Sequence, residues 1–396
     1  MRASTSYQSY GCPPRGLSAD VTARGRTFVR RVRVQDFRNY RRKQAHMTAQ
    51  KRDAVTGPGA WTGSEIQHDR SWIHHLDANA VEEIDAALAH AKRLGATIPF
   101  SADAFPLLNF ARELDGILDE IENGRGFMLI RGIPRSRYTA AECELLYWGL
   151  GVHLGTPVSQ NARGHLLGHV RDEGRVHADP NARGYQTRER MDFHTDLLPV
   201  DMIGLFCVRT AKSGGESKIV SALTIHNVLR AERPDLLDAL YGMFHLDWRG
   251  EEPAGEPPFF TIPMFSERDG RITARIVSLP YYKSAARFGG QYAPAPIQLE
   301  ALERVQEIAN RPELMLSMDF REGDIQLINN HITMHARTAF EDYEEPERQR
   351  HLLRMWIAVS DERRRPLADV LDSRYRWVRR GGIPIKAASE AAGSWT

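Results

Sequence analysis

His194-Thr195-Asp196 sets an imidazole and a carboxylate two residues apart. On an extended segment successive side chains alternate faces, so both can enter one pocket. Together they make two thirds of a metal site. A second histidine would complete the 2-His-1-carboxylate facial triad, which holds non-haem Fe(II) and leaves positions open for a co-substrate and O2. By itself an H-x-D triplet is weak. What strengthens it is the segment Gly323–Arg337, where a strand ends in Asn329-Asn330 and is followed by two histidines, His331 and His335. Both histidines could face the same way, so either could be the third ligand.

Arg350 and Arg354 follow on a second strand-like segment. Four residues apart, they would share one face of a strand at roughly 13 Å. Leu352, Leu353, Trp356 and Ile357 around them argue for an interior strand rather than an edge in solvent. Two guanidiniums inside a barrel need anionic partners, because isolated buried charge is costly. A dicarboxylate co-substrate bound to the metal would be one, its free carboxylate held bidentately by an arginine. Ser213-Gly214-Gly215-Glu216 reads as a turn and leads into Ser217.

The elements that must position these residues fall into two textures. Apolar spacing predicts helices over Asn79–Leu94, Ala104–Ile121 and Ala140–Leu150, with a buried strand at Phe127–Ile130. From Leu166 onward short strands dominate: 167–170, 193–196, 203–209, 218–220, 259–265, 275–276, 325–328 and 351–359. Helical stretches at Leu223–Tyr241 and Ile297–Asn310 interrupt them. Strand and helix do not alternate regularly enough for a doubly wound parallel sheet. The pattern predicts a mainly β fold with a helical surround, built on a jelly-roll barrel.

With 396 residues, 42% hydrophobic and 26% charged, the chain can bury a large core. No apolar run reaches the length of a membrane span. Cys12, Cys143 and Cys207 are too scattered for a zinc knuckle or a disulfide framework and suit a reducing, cytoplasmic setting. The net charge of +2 hides an asymmetry: residues 1–55 hold thirteen Lys or Arg against three Asp, so the remainder carries −8. That basic segment predicts a disordered arm over 1–55 and one folded domain over 56–396. Nucleic-acid contact, organelle targeting and a translation start at Met47 are the competing readings of the arm. The acidic body argues against broad nucleic-acid binding.

Taken in order, Phe193-His194-Thr195-Asp196, Gly214-Gly215-Glu216-Ser217, Asn330 with His335 five positions on, and then Arg350 and Arg354 resemble the taurine dioxygenase/TfdA family of Fe(II)- and 2-oxoglutarate-dependent dioxygenases. The resemblance runs from about Gly126 to Ile357. It implies a double-stranded β-helix (jelly-roll) core of the clavaminate-synthase-like kind. It makes His194, Asp196 and His335 the iron ligands, His335 being preferred to His331 by the Asn-to-His spacing. It implies that Arg354 binds the distal carboxylate of 2-oxoglutarate, that Ser217 assists where relatives often have threonine, and that Arg350 lies near the iron-side carboxylate or the substrate.

The resemblance further implies consumption of 2-oxoglutarate and O2, release of succinate and CO2, and oxidation of a small substrate. A carboxylate at Asp196 favours hydroxylation or desaturation over halogenation. Asn161, Arg188, Arg190 and Arg337 are the candidate substrate contacts, with Gln160, Asp192, Asp201, Tyr281 and Tyr282 as further polar or aromatic neighbours. Nearby arginines point to a carboxylate- or amine-bearing small molecule. Homo-oligomers are common among such enzymes, and the resemblance allows one here. A cupin-like, non-oxygenase metal protein would explain the triad but not Arg350, Arg354 and Ser217. An inactive binding or regulatory protein on the same barrel would leave the intact triad without a purpose.

Overall fold

The computed structural model describes residues 52–176, 184–197, 200–371 and 381–386. The chain divides by compactness into Met1–Lys51 and Arg52–Thr396, and every described residue belongs to the second unit. The basic arm up to Lys51 lies outside the described residues. Near the start of the described residues, Val55 donates its N–H to Asn227 Oδ1 at 2.8 Å and accepts from Asn227 Nδ2 at 2.8 Å.

Two larger sheets organise the body. Their strands in chain order are β1 (Ile73–His75), β2 (Phe127–Arg131), β3 (Thr156–Val158), β4 (Leu167–Val170), β5 (Met191–His194) and β6 (Met202–Arg209). Then come β7 (Ser217–Ser221), β8 (Met315–Met318), β9 (Ile325–Asn329), β10 (Thr333–Arg337) and β11 (His351–Ala358). The seven-stranded sheet runs β1-β2-β9-β6-β11-β3, with β4 also pairing β11. All its pairs are antiparallel except β1 with β2. The four-stranded sheet runs β8-β7-β10-β5, antiparallel throughout.

Period-two alternation gives β11 its two roles. Leu353, Met355 and Ile357 point to one face and join a core with helices α1 (Ala78–Arg93), α2 (Phe110–Glu122) and α3 (Ala140–Leu154). Leu352, Arg354 and Trp356 point to the other and line cavities. Residues of both sheets surround the inner of these cavities, Leu205 and Leu352 on one side and Ser217 and His335 on the other. A second core packs α4 (Ala222–Glu232), α5 (Pro234–Leu240) and α6 (Pro296–Ala309) beside the hairpin of Met243–Asp247 and Phe259–Pro263.

Several boundaries depart from the sequence reading for local reasons. The expected helix Ala104–Ile121 begins only at Phe110, because Pro106 disfavours helical geometry at Phe105. The Glu83 carboxylate on α1 then accepts from the backbone N–H of Asn109 at 2.9 Å and Phe110 at 3.3 Å, capping α2 from a neighbouring helix. The stretch Leu223–Tyr241 is broken at Arg233, where Pro234 starts α5 as its first residue. The expected strand at Arg275–Ile276 is irregular backbone; the strand nearby is Arg271–Ala274. The expected strand 193–196 is Met191–His194, so Asp196 lies just past its end.

Candidate metal centre and its two cavities

β5 and β10 are neighbours in the four-stranded sheet, and their register sets His194 directly opposite His335. The two rings approach to 4.3 Å between centroids. Asp196 completes the group: its Oδ1 is 3.8 Å from both His194 Nε2 and His335 Nε2. One ligand atom from each of the three lies within 4.8 Å of the others. His331, the rival third ligand, sits in the turn before β10 with its Nε2 on the buried Asp201 at 3.0 Å, outside this group.

Asp196 is held off the strand by fixed backbone contacts. Its N–H donates to Asn330 Oδ1 at 2.8 Å, and its carbonyl accepts from Arg275 Nη2 at 2.8 Å. Thr195 N–H donates to the Ile276 carbonyl at 2.7 Å. Arg275 is fully buried and also reaches the Asn330 carbonyl at 3.3 Å, so one guanidinium ties the ligand loop to the β9–β10 turn. The carboxylate itself accepts from Trp356 Nε1 at 2.5 Å, and Arg354 Nη1 stands 3.5 Å from the same Oδ2.

The electrostatics suit a cation. Burial alone would raise the Asp196 carboxyl, but Arg354, His335, His194 and the indole hydrogen bond together hold it below the ordinary carboxylate range. His335 is pushed down to about 3, first by burial and then by the charges of His194 and Arg354. Its imidazole is therefore neutral at neutral pH, with a lone pair free for a metal. His194 Nδ1 meets the Asp192 carbonyl at 2.8 Å, which fixes the tautomer that leaves Nε2 bare. Two imidazoles and one carboxylate, converging and 6% exposed at both His194 and Asp196, fit Fe(II) as the three-residue face of a facial triad.

Two cavities meet at this centre, sharing Tyr185, Met191, His194, Asp196 and Arg354. The inner one, about 60 Å3, runs between the sheets to Ser217, Arg337 and Arg350. Arg350 is 5% exposed and Arg337 is 7% exposed, each with a buried Nη1 that has no hydrogen-bond partner. No carboxylate among the described residues forms an ion pair with either guanidinium. Burial pulls Arg350 below its ordinary value, and burial followed by the charge of Arg350 brings Arg337 down to about 9. Ser213–Glu216, expected as a turn, begins instead as a two-residue strand, Ser213–Gly214, paired with Phe340–Glu341; Gly215 after it has φ +72°, and a Cβ there would stand 3.1 Å from Arg350 Nε.

The outer cavity, about 240 Å3, is walled by Gln160, Asn161, Arg190, Arg249, Tyr281 and Trp356 among others. Gln160 clamps Arg354 from both ends, accepting from its Nε at 2.7 Å and donating to its carbonyl at 2.8 Å. Arg249 lies over the Tyr281 ring at 4.2 Å. Of the candidate substrate contacts, Asn161 and Arg190 line this cavity, whereas Arg337 lines the inner one. Arg188 lines neither and is an exposed residue paired with Asp172. Tyr282 is buried, its hydroxyl accepting from Val277 N–H at 2.9 Å, and Asp201 serves His331. Sequence reasoning did not single out Trp356, Arg275 and Arg249 for the site. Trp356 could have been found as the inward neighbour of Arg354 two residues on; Arg275 carries no local signal.

A metal triad at the mouth of a cavity lined by guanidiniums defines a class of oxygenase, and residues 88–356 match the family described as taurine catabolism dioxygenase TauD, TfdA family. The chain belongs to that family of dioxygenases. It is 34% identical over 327 residues to FR-33289 synthase of Streptomyces rubellomurinus, covering 82% of this chain and 95% of that protein. Asparagine oxygenase, solved with Fe(II), 2S,3S-3-hydroxyasparagine and succinate, shares the fold at a TM-score of 0.54 and 17% identity, over 72% of this chain and 93% of that one. The oxygenase OrfP, solved with Fe and alpha-ketoglutaric acid, shares it at 0.51 and 16% identity, over 79% and 99% of the two chains. No helix among the described residues is long and apolar enough to cross a membrane.

Proposed function

We propose that this dioxygenase couples decarboxylation of 2-oxoglutarate to hydroxylation of a small carboxylate- or amine-bearing molecule seated in the outer cavity. The observation that carries the reading is the pairing of the triad with an inner cavity holding two buried guanidiniums that lack a carboxylate. Fe(II) held by His194, Asp196 and His335 would supply O2 activation, the hard step of the chemistry. The seven- and four-stranded sheets facing across that cavity are read as the two walls of a double-stranded β-helix.

The protein's own residues divide the co-substrate between two levels. Arg354 stands beside the metal ligands, 3.5 Å from Asp196. Arg350 lies four residues back, just ahead of β11, and shares the inner cavity with Ser217 and Arg337. With Arg354 taken up beside Asp196, this placement favours Arg350, assisted by Ser217, for the distal carboxylate. It favours Arg354 for the metal-side carboxylate or the substrate, the reverse of the roles the family resemblance implied. Trp356 and Arg354 orient Asp196, and Gln160 orients Arg354. In the outer cavity, Asn161, Arg190 and Arg249 supply polar and cationic contacts over an apolar floor that includes Leu197, Val277 and Trp356. The amino-acid products bound by asparagine oxygenase and OrfP support a substrate of comparable size and polarity.

The test is an anaerobic visible spectrum of the protein with Fe(II), before and after adding 2-oxoglutarate, followed by succinate release against a panel of amino acids and other small carboxylates. A new metal-to-ligand charge-transfer band, then substrate-stimulated succinate, is the expected result. Folded, iron-loaded protein that gives no band would sink the proposal.

A further inference from the structure

We propose that Arg337 is a positioning residue: it shares the distal carboxylate of the co-substrate with Arg350 and, through the same guanidinium, fixes the segment 184–190 that walls the site. The inference rests on the dioxygenase reading above and adds a coupling that the reading does not require.

Three observations support it. First, Arg337 lies two residues beyond His335 on β10, opposite Ser217 on β7, which puts it one strand repeat below the metal ligand. At that level it shares the inner cavity with Arg350. Second, its donors are divided. Nη2 donates to the carbonyls of Thr187 at 2.7 Å and Glu189 at 2.6 Å, whereas Nε and Nη1 are buried without a partner. Buried donors are usually satisfied, and these two idle ones belong to a residue that lines the inner cavity. Third, the segment that Arg337 holds faces the chemistry. Tyr185 lines both cavities and lies 4.9 Å from Arg354 across its ring, and Phe340 N–H donates to the Arg188 carbonyl at 3.1 Å.

A carboxylate arriving between the two guanidiniums relieves like-charge repulsion and satisfies the idle donors of Arg337. The same event holds the plane of that guanidinium, and with it the two carbonyls on Nη2. The co-substrate thereby completes one wall of the outer cavity before the substrate enters.

The experiment compares hydrogen–deuterium exchange of residues 184–190 in the full chain loaded anaerobically with Fe(II), alone, with 2-oxoglutarate, and with 2-oxobutyrate. The last chelates metal through the same keto-acid end but has no distal carboxylate. Expected is added protection of 184–190 with 2-oxoglutarate and little with 2-oxobutyrate. Arg337→Gln should bind 2-oxoglutarate about tenfold or more weakly by the charge-transfer titration, keep its iron affinity, and lose the added protection. Arg337→Lys should recover part of the affinity but not the protection, since one ammonium cannot serve two carbonyls and a carboxylate. Equal protection by both keto acids, or wild-type co-substrate affinity in Arg337→Gln, would overturn the inference while leaving the dioxygenase reading intact. The wild-type comparison stands even if the variants fail to fold. Absence of the charge-transfer band in the wild type would overturn both.

Discussion

Trp356→Phe isolates one hydrogen bond at the metal centre. The indole donates to Asp196 Oδ2 at 2.5 Å, and both residues are buried. Phenylalanine keeps an aromatic ring in the space and removes only the donor and part of the surface. A hydrogen bond to a charged group contributes about 1.5–3 kcal/mol. Here the carboxylate would still have Arg354 at 3.5 Å, so the loss belongs near the lower end of that range. Because the donor aims the carboxylate at the metal, the loss should fall mainly on the iron-bound state: about tenfold weaker Fe(II) binding, in line with what outer partners of metal ligands contribute. The assay is an anaerobic Fe(II) titration by calorimetry or chelator competition, with far-ultraviolet circular dichroism and a melting curve alongside. If Trp356→Phe melts lower yet binds iron as tightly as the wild type, the indole only packs, and the orienting role is refuted.

Two further predictions concern parts of the molecule on either side of that contact. Gly215→Ala places a Cβ 3.1 Å from Arg350 Nε on backbone at φ +72°; it should cost about 1 kcal/mol of stability and raise the KM for 2-oxoglutarate without changing iron affinity, and steady-state kinetics with unaltered KM would contradict the assigned role of Arg350. Far from the metal, burial first, then the charge of Arg52, pushes His226 down to about 4 from an ordinary value of 6.5. A histidine depressed by folding is neutral in the native state and takes up its proton in the unfolded one. Stability is therefore retained above pH 6.5 and lost as pH falls from there towards 4, by about 3 kcal/mol at the limit. His226→Phe should flatten that acid limb in denaturant titrations; an unchanged slope would assign acid lability to other groups.

The clustering of His194, Asp196 and His335 was legible in the sequence because a two-residue repeat maps directly onto one face of extended chain, and because the three residues keep their order and context. Choosing between His331 and His335 by spacing was harder, since both follow Asn330 closely. The geometry separates them: His331 occupies the turn and is taken up by Asp201, while His335 stands in register with His194. The inward placement of Arg350 and Arg354 was readable from their apolar neighbours. Their division of labour was not, because it depends on how far along β11 the metal level falls. Partners joined only by tertiary packing were invisible as well. Glu83 capping α2, Arg275 bracing Asp196 and Arg337 reaching back to Thr187 and Glu189 link segments that no local pattern connects. Proline positions explain the helix boundaries misjudged at Phe105 and Arg233, where backbone restriction outweighs apolar periodicity.

If the inner cavity holds the co-substrate as proposed, its length sets which keto acids the enzyme accepts. Trp356 and Arg354 on β11 stand beside Asp196, and Arg350, just ahead of that strand, lies beyond Leu352. Across the cavity, His335 and Arg337 on β10 stand a shorter step apart, a rise of roughly 6.6 Å set by two residues of extended backbone. Backbone pitch cannot be adjusted by rotamers, so on this reading the β10 wall would act as a ruler for a five-carbon diacid. A chain one methylene shorter would leave its tail short of the anchor, and one methylene longer would press into it. Selectivity for the co-substrate is thus written in strand geometry, while the loops around the outer cavity remain free to vary with the molecule to be oxidised.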